Sequence, residues 1–450
     1  MSATYEDRYG LPLSAQGQAA AEHYMEGIDC ALALSVGAQA NLEAAIAADP
    51  GFAMAHIALA REFQYKGNIA EAQASKVKAL QCMDGVTRRE RQHIEALARA
   101  VDGDGPGALA LIREHVQEFP RDAFLLKQAD GPFGLIGFGG SQDRLETNFA
   151  LLDSVAEAYG DDWWFLSAYA FAQNELGYHE KAQRLVQRAL KLHPHSGHSA
   201  HTMAHVCFET GDHSAGAEFL EGWLPDFPRQ AQIYSHLTWH LALFQLACGH
   251  ADHVLELYTQ TLNPEACPGA PLIALCDAAA LLWRHDLYSL PRPPGSREAV
   301  AAFAARTFPR PGITFGDVHC ALAYAAAGDI EALTQLATQL RERLAQGKVP
   351  ASEVVPALVE ALAAFARGDY ESAVQHLEPV ADQVVRVGGS NAQREVFEDT
   401  LLQAYLRAGR YTQAESLLRK RLARRPSVRD TLWLQEAQEA HPTGVGGHGE

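Results

Sequence analysis

The sequence predicts an all-α fold in which helical hairpins stack side by side into a solenoid. The prediction depends on turn glycines followed by small residues at fixed distances, and on the lack of alternating apolar and polar runs of strand length. Gly177 is followed by Ala182, Ala189 and Pro194, at offsets of five, twelve and seventeen residues. One hairpin cannot bury its apolar face alone, so several must stack, and function is expected on the inner surface of the stack.

These offsets match the small and proline positions of a tetratricopeptide repeat. Partial copies of the same pattern occur at Ala38, Ala45 and Pro50, at Gly67, Ala72 and Ala79, and at Gly409, Ala414 and Pro426. Turn glycines that end one apolar-periodic segment and precede another are Gly67, Gly177, Gly211, Gly249, Gly328, Gly368 and Gly409. We therefore expect residues 1–440 to form a single continuous α-solenoid, or superhelix, of degenerate tetratricopeptide-like helical hairpins.

Two segments interrupt this pattern and are predicted to be loop inserts, one near residues 130–144 and one near residues 290–313. The first contains GPFGLIGFGG, and the second is rich in proline, which removes backbone donors and breaks helices. Residues 441–450 contain PTGVGGHG and are predicted to form a flexible tail.

Composition limits the classes of partner. The 450 residues are 48% hydrophobic and 20% charged, and the formal net charge is -18, which argues against a nucleic-acid partner. A basic stretch, RKRLARR, is assigned to the last turns of a helix, where cations are favoured by the helix dipole. The seven cysteines form no C-x-x-C pair, and the chain shows neither a signal peptide nor an apolar run long enough for a membrane span. We expect a cytoplasmic protein with no membrane partner and make no prediction of its oligomeric state.

Histidine is the strongest chemical anomaly, because ten of the 20 histidines lie between residues 193 and 253. His201 and His205 are four residues apart, and His236 and His240 repeat that spacing one structural repeat later. Residues at i and i+4 share one face of a helix, so the two pairs are expected to approach each other across neighbouring helices. Three interpretations remain open: a metal site, contacts to a ligand without metal, and a hydrogen-bonded structural core.

A second group of polar residues follows the turn VGGSNAQRE. Ser390 and Gln393 fit a capping box, which needs no ligand, whereas Arg394 near a glycine-led helix N-terminus would suit an anion. Asp277 and Arg284 lie seven residues apart on one predicted helix face, as a buried pair or as groove residues. Trp239 could form an apolar wall beside the histidines or serve only in packing.

Several motifs spread over most of the chain resemble those of the tetratricopeptide repeat protein 38 family. They are RERQHIEAL, HTMAHV, HLTWHLALFQLACG, DAAALLWR, FGDVHCALA and GGSNAQREVFEDTLL. The last differs from the family pattern at Val387 and at Glu395, where the family has an aspartate. The resemblance implies a helical-repeat fold and recurring polar positions, including Asp317 and His319, and it implies no particular activity.

We weigh three hypotheses of function. The first is a module that binds a small polar or anionic ligand, or a peptide end, through His201, His205, Trp239, His240, Arg284, His319, Gln393 and Arg394. The second is a metal-dependent enzyme, most readily a hydrolase, with Zn or Fe on His201, His205, His236, His240 and His319. In that enzyme Asp277 or Asp317 would have to act as the base. The third hypothesis is a scaffold for protein assembly.

Overall fold

The computed structural model describes residues 5–440, and it confirms the predicted all-α class. Twenty-four α-helices fill most of this range. The β structure within it is one antiparallel pairing of two-residue strands, β1 (Tyr5–Glu6) and β2 (Pro12–Leu13). A pairing of this length is no strand-bearing domain, so it agrees with the predicted all-α class. The predicted tail, residues 441–450, lies outside the described residues.

The described chain forms two compact units. The first takes residues 5–203, Trp223–Leu237 and Pro268–Pro271, and the second takes Ala204–Gly222, Thr238–Cys267 and residues 272–440. The prediction of one continuous domain stays a prediction.

The first unit contains eleven complete helices. They are α1 (Gln18–Leu32), α2 (Ala38–Ala48), α3 (Ala53–Tyr65), α4 (Ile69–Gln81), α5 (Arg88–Val101), α6 (Gly105–Glu118), α7 (Ala123–Ala129), α8 (Arg144–Asp153), α9 (Ala156–Tyr159), α10 (Trp163–Glu175) and α11 (His179–Leu192).

The remaining helices lie wholly or partly in the second unit. They are α12 (Gly197–Thr210), α13 (His213–Trp223), α14 (Tyr234–Ala247), α15 (Ala251–Leu257), α16 (Pro271–Leu287), α17 (Ser296–Thr307), α18 (Thr314–Ala327), α19 (Ile330–Ala345), α20 (Val354–Ala366), α21 (Tyr370–Leu377), α22 (Asn391–Arg407), α23 (Tyr411–Arg424) and α24 (Val428–Ala440). Helices α12 and α14 each run without a break from residues of the first unit to residues of the second. Short 3-10 or π segments lie at Leu224–Asp226, Tyr258–Leu262 and Glu378–Val387.

The glycine and alanine positions behave as the repeat pattern predicts. All seven predicted turn glycines have positive φ, between 72° and 88°, a region that side-chain-bearing residues rarely adopt. Ala182 and Ala189 on α11 are fully buried, as are Ala45 on α2 and Ala414 on α23. A methyl group at these positions lets the second helix of a hairpin pack closely on its neighbours, which accounts for the fixed offsets in the sequence.

The proline-rich segment near residues 290–313 is more ordered than a loop insert. Its middle forms α17, because SREAVAAFAART contains no proline and is rich in helix formers, while the prolines lie on either side of it. In the earlier segment, residues 130–143 are turns and bends without a regular helix.

Candidate functional site

Two helices, α12 and α14, each carry a histidine pair. His201 and His205 are one turn apart on α12, and His236 and His240 are one turn apart on α14. All four side chains are buried, with exposed fractions of 8%, 0%, 2% and 0%. We call these four residues the histidine group.

The rings of the two helices meet in pairs. The ring centroids of His201 and His236 are 5.0 Å apart, and those of His205 and His240 are 4.5 Å apart. Each of the four residues offers a ring nitrogen, and these four atoms all lie within 4.8 Å of one another. The convergence that the sequence spacing predicts is therefore present in the geometry.

The donor set suits a transition metal. Tetrahedral zinc sites have Zn–N distances of about 2.0–2.1 Å, which place neighbouring ligand atoms about 3.3 Å apart. The 4.8 Å limit exceeds that spacing by about 1.5 Å, a difference that small rotations of imidazole rings can close. Neutral imidazole is a ligand for Zn, Cu, Fe and Ni. The residues of the group therefore fit such an ion.

Aromatic rings surround the histidine group. Phe171 of α10 stacks on the His201 ring with a centroid distance of 5.8 Å, and Trp239 meets the His240 ring edge-on at 5.1 Å. The Arg284 guanidinium lies 5.7 Å from the Trp239 ring centroid. Such an aromatic shell keeps water away from the histidine group.

Arg284 bonds mainly to backbone and to a buried acid. Its Nη2 donates to the carbonyl of Ala392 at 2.9 Å, in the first turn of α22, and its Nε lies 3.7 Å from Asp399 Oδ2. Both charged side chains are almost fully buried. Arg284 therefore connects α16 to α22. Asp277, seven residues earlier on α16, is also buried.

The turn before α22 uses Gln393 and Arg394 for its own structure. Ser390 and Gln393 form the predicted capping box: the Ser390 hydroxyl accepts from the Gln393 amide at 3.3 Å, and Gln393 Oε1 accepts from the Ser390 amide at 3.0 Å. Arg394 donates to the carbonyls of Gly388 and Gly389 and to Asn391 Oδ1. These contacts account for Arg394 and for the oxygen of Gln393 without an anion, whereas the buried Nε2 of Gln393 has no hydrogen-bond partner within residues 5–440.

His319 and Asp317 lie on α18 and are not members of the histidine group, although the sequence predicts His319 as a metal ligand and Asp317 as a base. His319 Nδ1 is 2.7 Å from the carbonyl of Phe315, one turn earlier on its own helix, and burial lowers its pKa to about 4. Asp317 accepts a hydrogen bond from the Gly312 amide at 3.0 Å, and burial raises its pKa to about 7. Both side chains have local backbone partners.

A buried polar cluster in the first unit was not predicted from the sequence. Asp122 accepts from Arg89 Nη1 at 2.7 Å, and its carboxylate lies 3.0 Å from His93 Nδ1 and 3.2 Å from His115 Nε2. The pKa of Asp122 lies well below its usual value, because His93 and Arg89 outweigh the opposing effect of burial. The signal in the sequence is the spacing of Arg89 and His93, which lie four residues apart on α5 and therefore share one face of that helix.

A second missed network surrounds the basic stretch at the end of α23. The stretch ends the helix as predicted, but Arg421 and Arg425 are buried with 4% and 9% of their side chains exposed. Arg421 pairs with Asp399 and Asp430, and Arg425 pairs with Glu395. The stretch is therefore partly a core feature, and the helix dipole explains only its exposed members.

Comparisons with known proteins add likenesses of fold. No family model matches the chain. The chain is similar to the human IFIT1 dimer with PPP-AAAA, at 14% identity and a TM-score of 0.40, over 86% of this chain and 89% of that chain. It is similar to yeast Tom70 at 13% identity and a TM-score of 0.35, over 94% and 87% of the two chains. It is also similar to the TPR domain of P58(IPK), at 14% identity and a TM-score of 0.23, over 87% of this chain and 89% of that chain. At these scores the likenesses carry no argument about what this chain binds.

The structure itself supports a coarser assignment. Consecutive helices in contact, positive-φ glycine turns and buried alanines at repeat offsets make the described residues a tetratricopeptide-like helical-repeat fold. No helix between residues 5 and 440 combines the length and apolarity that crossing a bilayer requires.

Proposed function

We propose that this helical-repeat protein binds one divalent transition metal ion, Zn or Fe in the first instance, through the histidine group. The proposal depends on a single observation: four buried imidazoles from α12 and α14 have ligand atoms within 4.8 Å of one another. Four buried imidazoles at this spacing are well suited to share one cation.

The ligand count favours holding a metal over using it for hydrolysis. Structural zinc sites have four protein ligands and are closed, whereas catalytic zinc sites keep a position open for water or substrate. The four histidines would fill a tetrahedral ion, and the group contains no carboxylate to act as a base. Asp317, one of the two candidate bases, is hydrogen-bonded to the Gly312 amide instead. The hydrolase hypothesis therefore has less support than metal binding.

The small-ligand hypothesis has less support for a different reason. It needs Arg284, Gln393 and Arg394 to offer charge and donors to a ligand. Their observed contacts run to backbone carbonyls, to the capping box and to Asp399. An anion would have to displace several of these buried contacts in order to bind.

Metal content and metal-dependent stability test the proposal. The full chain, expressed without a histidine tag, is expected to retain about one transition metal ion, and the chelated protein should gain thermal stability when the ion is restored. Binding at a free ion concentration of 100 times Kd stabilises a folded state by about 2.7 kcal/mol. In His205→Ala and His240→Gln that gain should disappear, because loss of a direct ligand costs more than the 10–100-fold typical of an outer-shell partner.

His195→Ala is the matched control, because His195 is exposed in the turn before α12. It should keep both the metal content and the stabilisation. A purely structural role predicts that His205→Ala lowers the melting temperature equally with and without metal. That outcome, or wild-type protein that neither retains a metal nor responds to one, would overturn the proposal.

The family resemblance and the cysteines bear on the wider setting. The motifs HTMAHV and HLTWHLALFQLACG, which carry the resemblance to the tetratricopeptide repeat protein 38 family, are the segments that supply the histidine group.

All seven cysteines are free thiols, which supports a reducing compartment and so our inference of a cytoplasmic location. A scaffold role would coexist with the metal, which would then fix α12 against α14.

A further inference from the structure

A small polar cavity lies in the first unit and shares no lining residue with the histidine group. It has a volume of about 20 Å³, and its walls include Asp7, Tyr24, Asp29, Arg89 and Phe124. A volume of roughly 10–15 Å³ on this measure holds one water, so there is room for one or two water-sized groups. Asp29 forms part of the rim, since 38% of its side chain is exposed. The cavity can therefore receive the end of a small molecule from solvent.

Two donors in the cavity wall lack an acceptor. Arg89 is 4% exposed and donates through Nη1 to Asp122 and through Nη2 to the carbonyl of Pro12, but its buried Nε has no hydrogen-bond partner. Tyr24 is 3% exposed, and its hydroxyl makes no hydrogen bond to any residue between 5 and 440. The large majority of buried side-chain polar atoms in native proteins are paired, so the unpaired Arg89 Nε indicates a missing acceptor. The Tyr24 hydroxyl is a second donor in the same wall.

The same wall also offers acceptors. Asp7 Oδ1 accepts from the amides of Tyr9 and Leu11 at 2.9 and 3.0 Å, which leaves Oδ2 available. Asp29 Oδ1 accepts from Arg8 Nε at 2.6 Å, which likewise leaves Oδ2 available. A ligand that satisfies this cavity must accept and donate hydrogen bonds at the same time.

Charge narrows the ligand class further. The cavity wall holds two arginines, Arg8 and Arg89, against three aspartates, Asp7, Asp29 and Asp122. This balance repels an anion, while a cation would leave the Arg89 Nε–H and the Tyr24 hydroxyl without an acceptor. An uncharged group with one acceptor and adjacent donors satisfies both conditions. The flat ring of Phe124 on the wall suits a planar group.

We propose that this cavity binds the primary carboxamide end of a small molecule. The amide oxygen accepts from Arg89 Nε–H and from the Tyr24 hydroxyl, and the amide NH₂ donates to the carboxylates of Asp7 and Asp29. The rest of the molecule leaves past the rim at Asp29.

Three probes of nearly equal size separate this proposal from its rivals: acetamide, acetate and ethylamine. Each is titrated against the full chain and followed by ligand-observed NMR or calorimetry. Acetamide should bind at least tenfold more tightly than either charged probe. Tyr24→Phe keeps the ring and removes one hydrogen bond, and it should weaken acetamide by about 3–10-fold. Tyr178→Phe, at a half-exposed tyrosine beside α11, is the control and should change nothing.

Asp29→Asn keeps the test decisive if Tyr24→Phe folds poorly, because Asp29 lies at the rim. Removing this negative charge should reduce the ratio of the acetamide affinity to the acetate affinity, because acetate is then repelled less. Equal binding of acetamide and acetate to the wild type, or no binding of any probe, would overturn the proposal, the second result meaning that the cavity holds only water. Indistinguishable acetamide affinities in Tyr24→Phe and Tyr178→Phe would overturn it as well.

Discussion

Replacing Arg421 with alanine should be among the most destabilising single changes in the second unit. The guanidinium of Arg421 reaches four carboxylates: Asp399 at 2.8 Å, Asp430 at 2.7 Å, Glu398 at 3.2 Å and Glu395 at 3.3 Å. Asp399 and Asp430 are 1% and 4% exposed, so solvent cannot replace the lost cation there. The buried acids around Arg421 raise its pKa well above the usual value, and this opposes the effect of its burial.

The stability cost of Arg421→Ala depends on which buried carboxylates lose their only close cation. Breaking a buried pair by removing one partner costs about 3–5 kcal/mol, because the remaining charge is uncompensated. Arg425 still pairs with Glu395, and Arg284 still lies 3.7 Å from Asp399, so part of the charge stays balanced. Asp430 keeps no comparable partner, which places the expected cost at about 3–4 kcal/mol. For a unit of this size the melting temperature should fall by roughly 10 °C.

Thermal and urea unfolding followed by circular dichroism measure this cost. Arg419→Ala is the matched control on the same helix: Arg419 is 60% exposed and pairs with Glu415 one turn away. Exposed pairs of this kind contribute about 0.3–0.5 kcal/mol. If Arg421→Ala proved no more destabilising than Arg419→Ala, the inference that the four carboxylates depend on Arg421 would be refuted.

Two further predictions concern the second unit. Burial raises the pKa of Asp317 to about 7, so the folded protein holds this proton while the unfolded chain loses it near pH 4, and stability should decline as pH rises from about 4 to 7. Asp317→Asn keeps an acceptor for the Gly312 amide and should remove this decline in stability. Its free energy of unfolding at pH 8 should exceed that of the wild type by about 2–4 kcal/mol, measured by unfolding at a series of pH values. Equal pH profiles for the two proteins would count against this prediction. Gly389→Ala would place a methyl group into the Phe315 ring at a φ of +71° and should cost about 2–4 kcal/mol. Gly368 is the control: it has a φ of +78°, and a Cβ atom added there would meet no atom within 4 Å, so Gly368→Ala should cost only about 1 kcal/mol. Equal costs for the two variants in thermal unfolding would show that overlap with the Phe315 ring does not destabilise the protein.

The repeat architecture is predictable because its constraints are local. A turn that needs a positive φ favours glycine, as at Gly177 and Gly409, and a close helix pair favours alanine, as at Ala182 and Ala414. Neither preference depends on residues far away in the sequence. Helix α17 was missed because a count of prolines over a segment ignores where they fall. A proline-free run of twelve residues is long enough to form a helix between two broken ends.

The burial of a charged side chain depends on residues far away in the sequence, and it was not predicted for Arg421. Arg421 looks like any cation at a helix end, and it is buried because Asp399 and Glu395, 22 and 26 residues away, pack against it. For the histidines, the helical period predicts which residues share a face, so both i, i+4 pairs were found. The same period does not predict which helices pack against each other, so it could not show that His319 lies outside the histidine group.

The tautomers of the histidine group separate metal binding from a hydrogen-bonded core. Each neutral imidazole has one N–H donor and one bare acceptor nitrogen. If the four rings only satisfied one another, donors would have to face acceptors, so some of the converging nitrogens would carry protons. A shared metal ion requires the opposite, because every converging nitrogen must be bare and the protons must lie on the outward nitrogens. The proton positions on His205 and His240, whose rings are 4.5 Å apart, therefore decide which account of the group is correct.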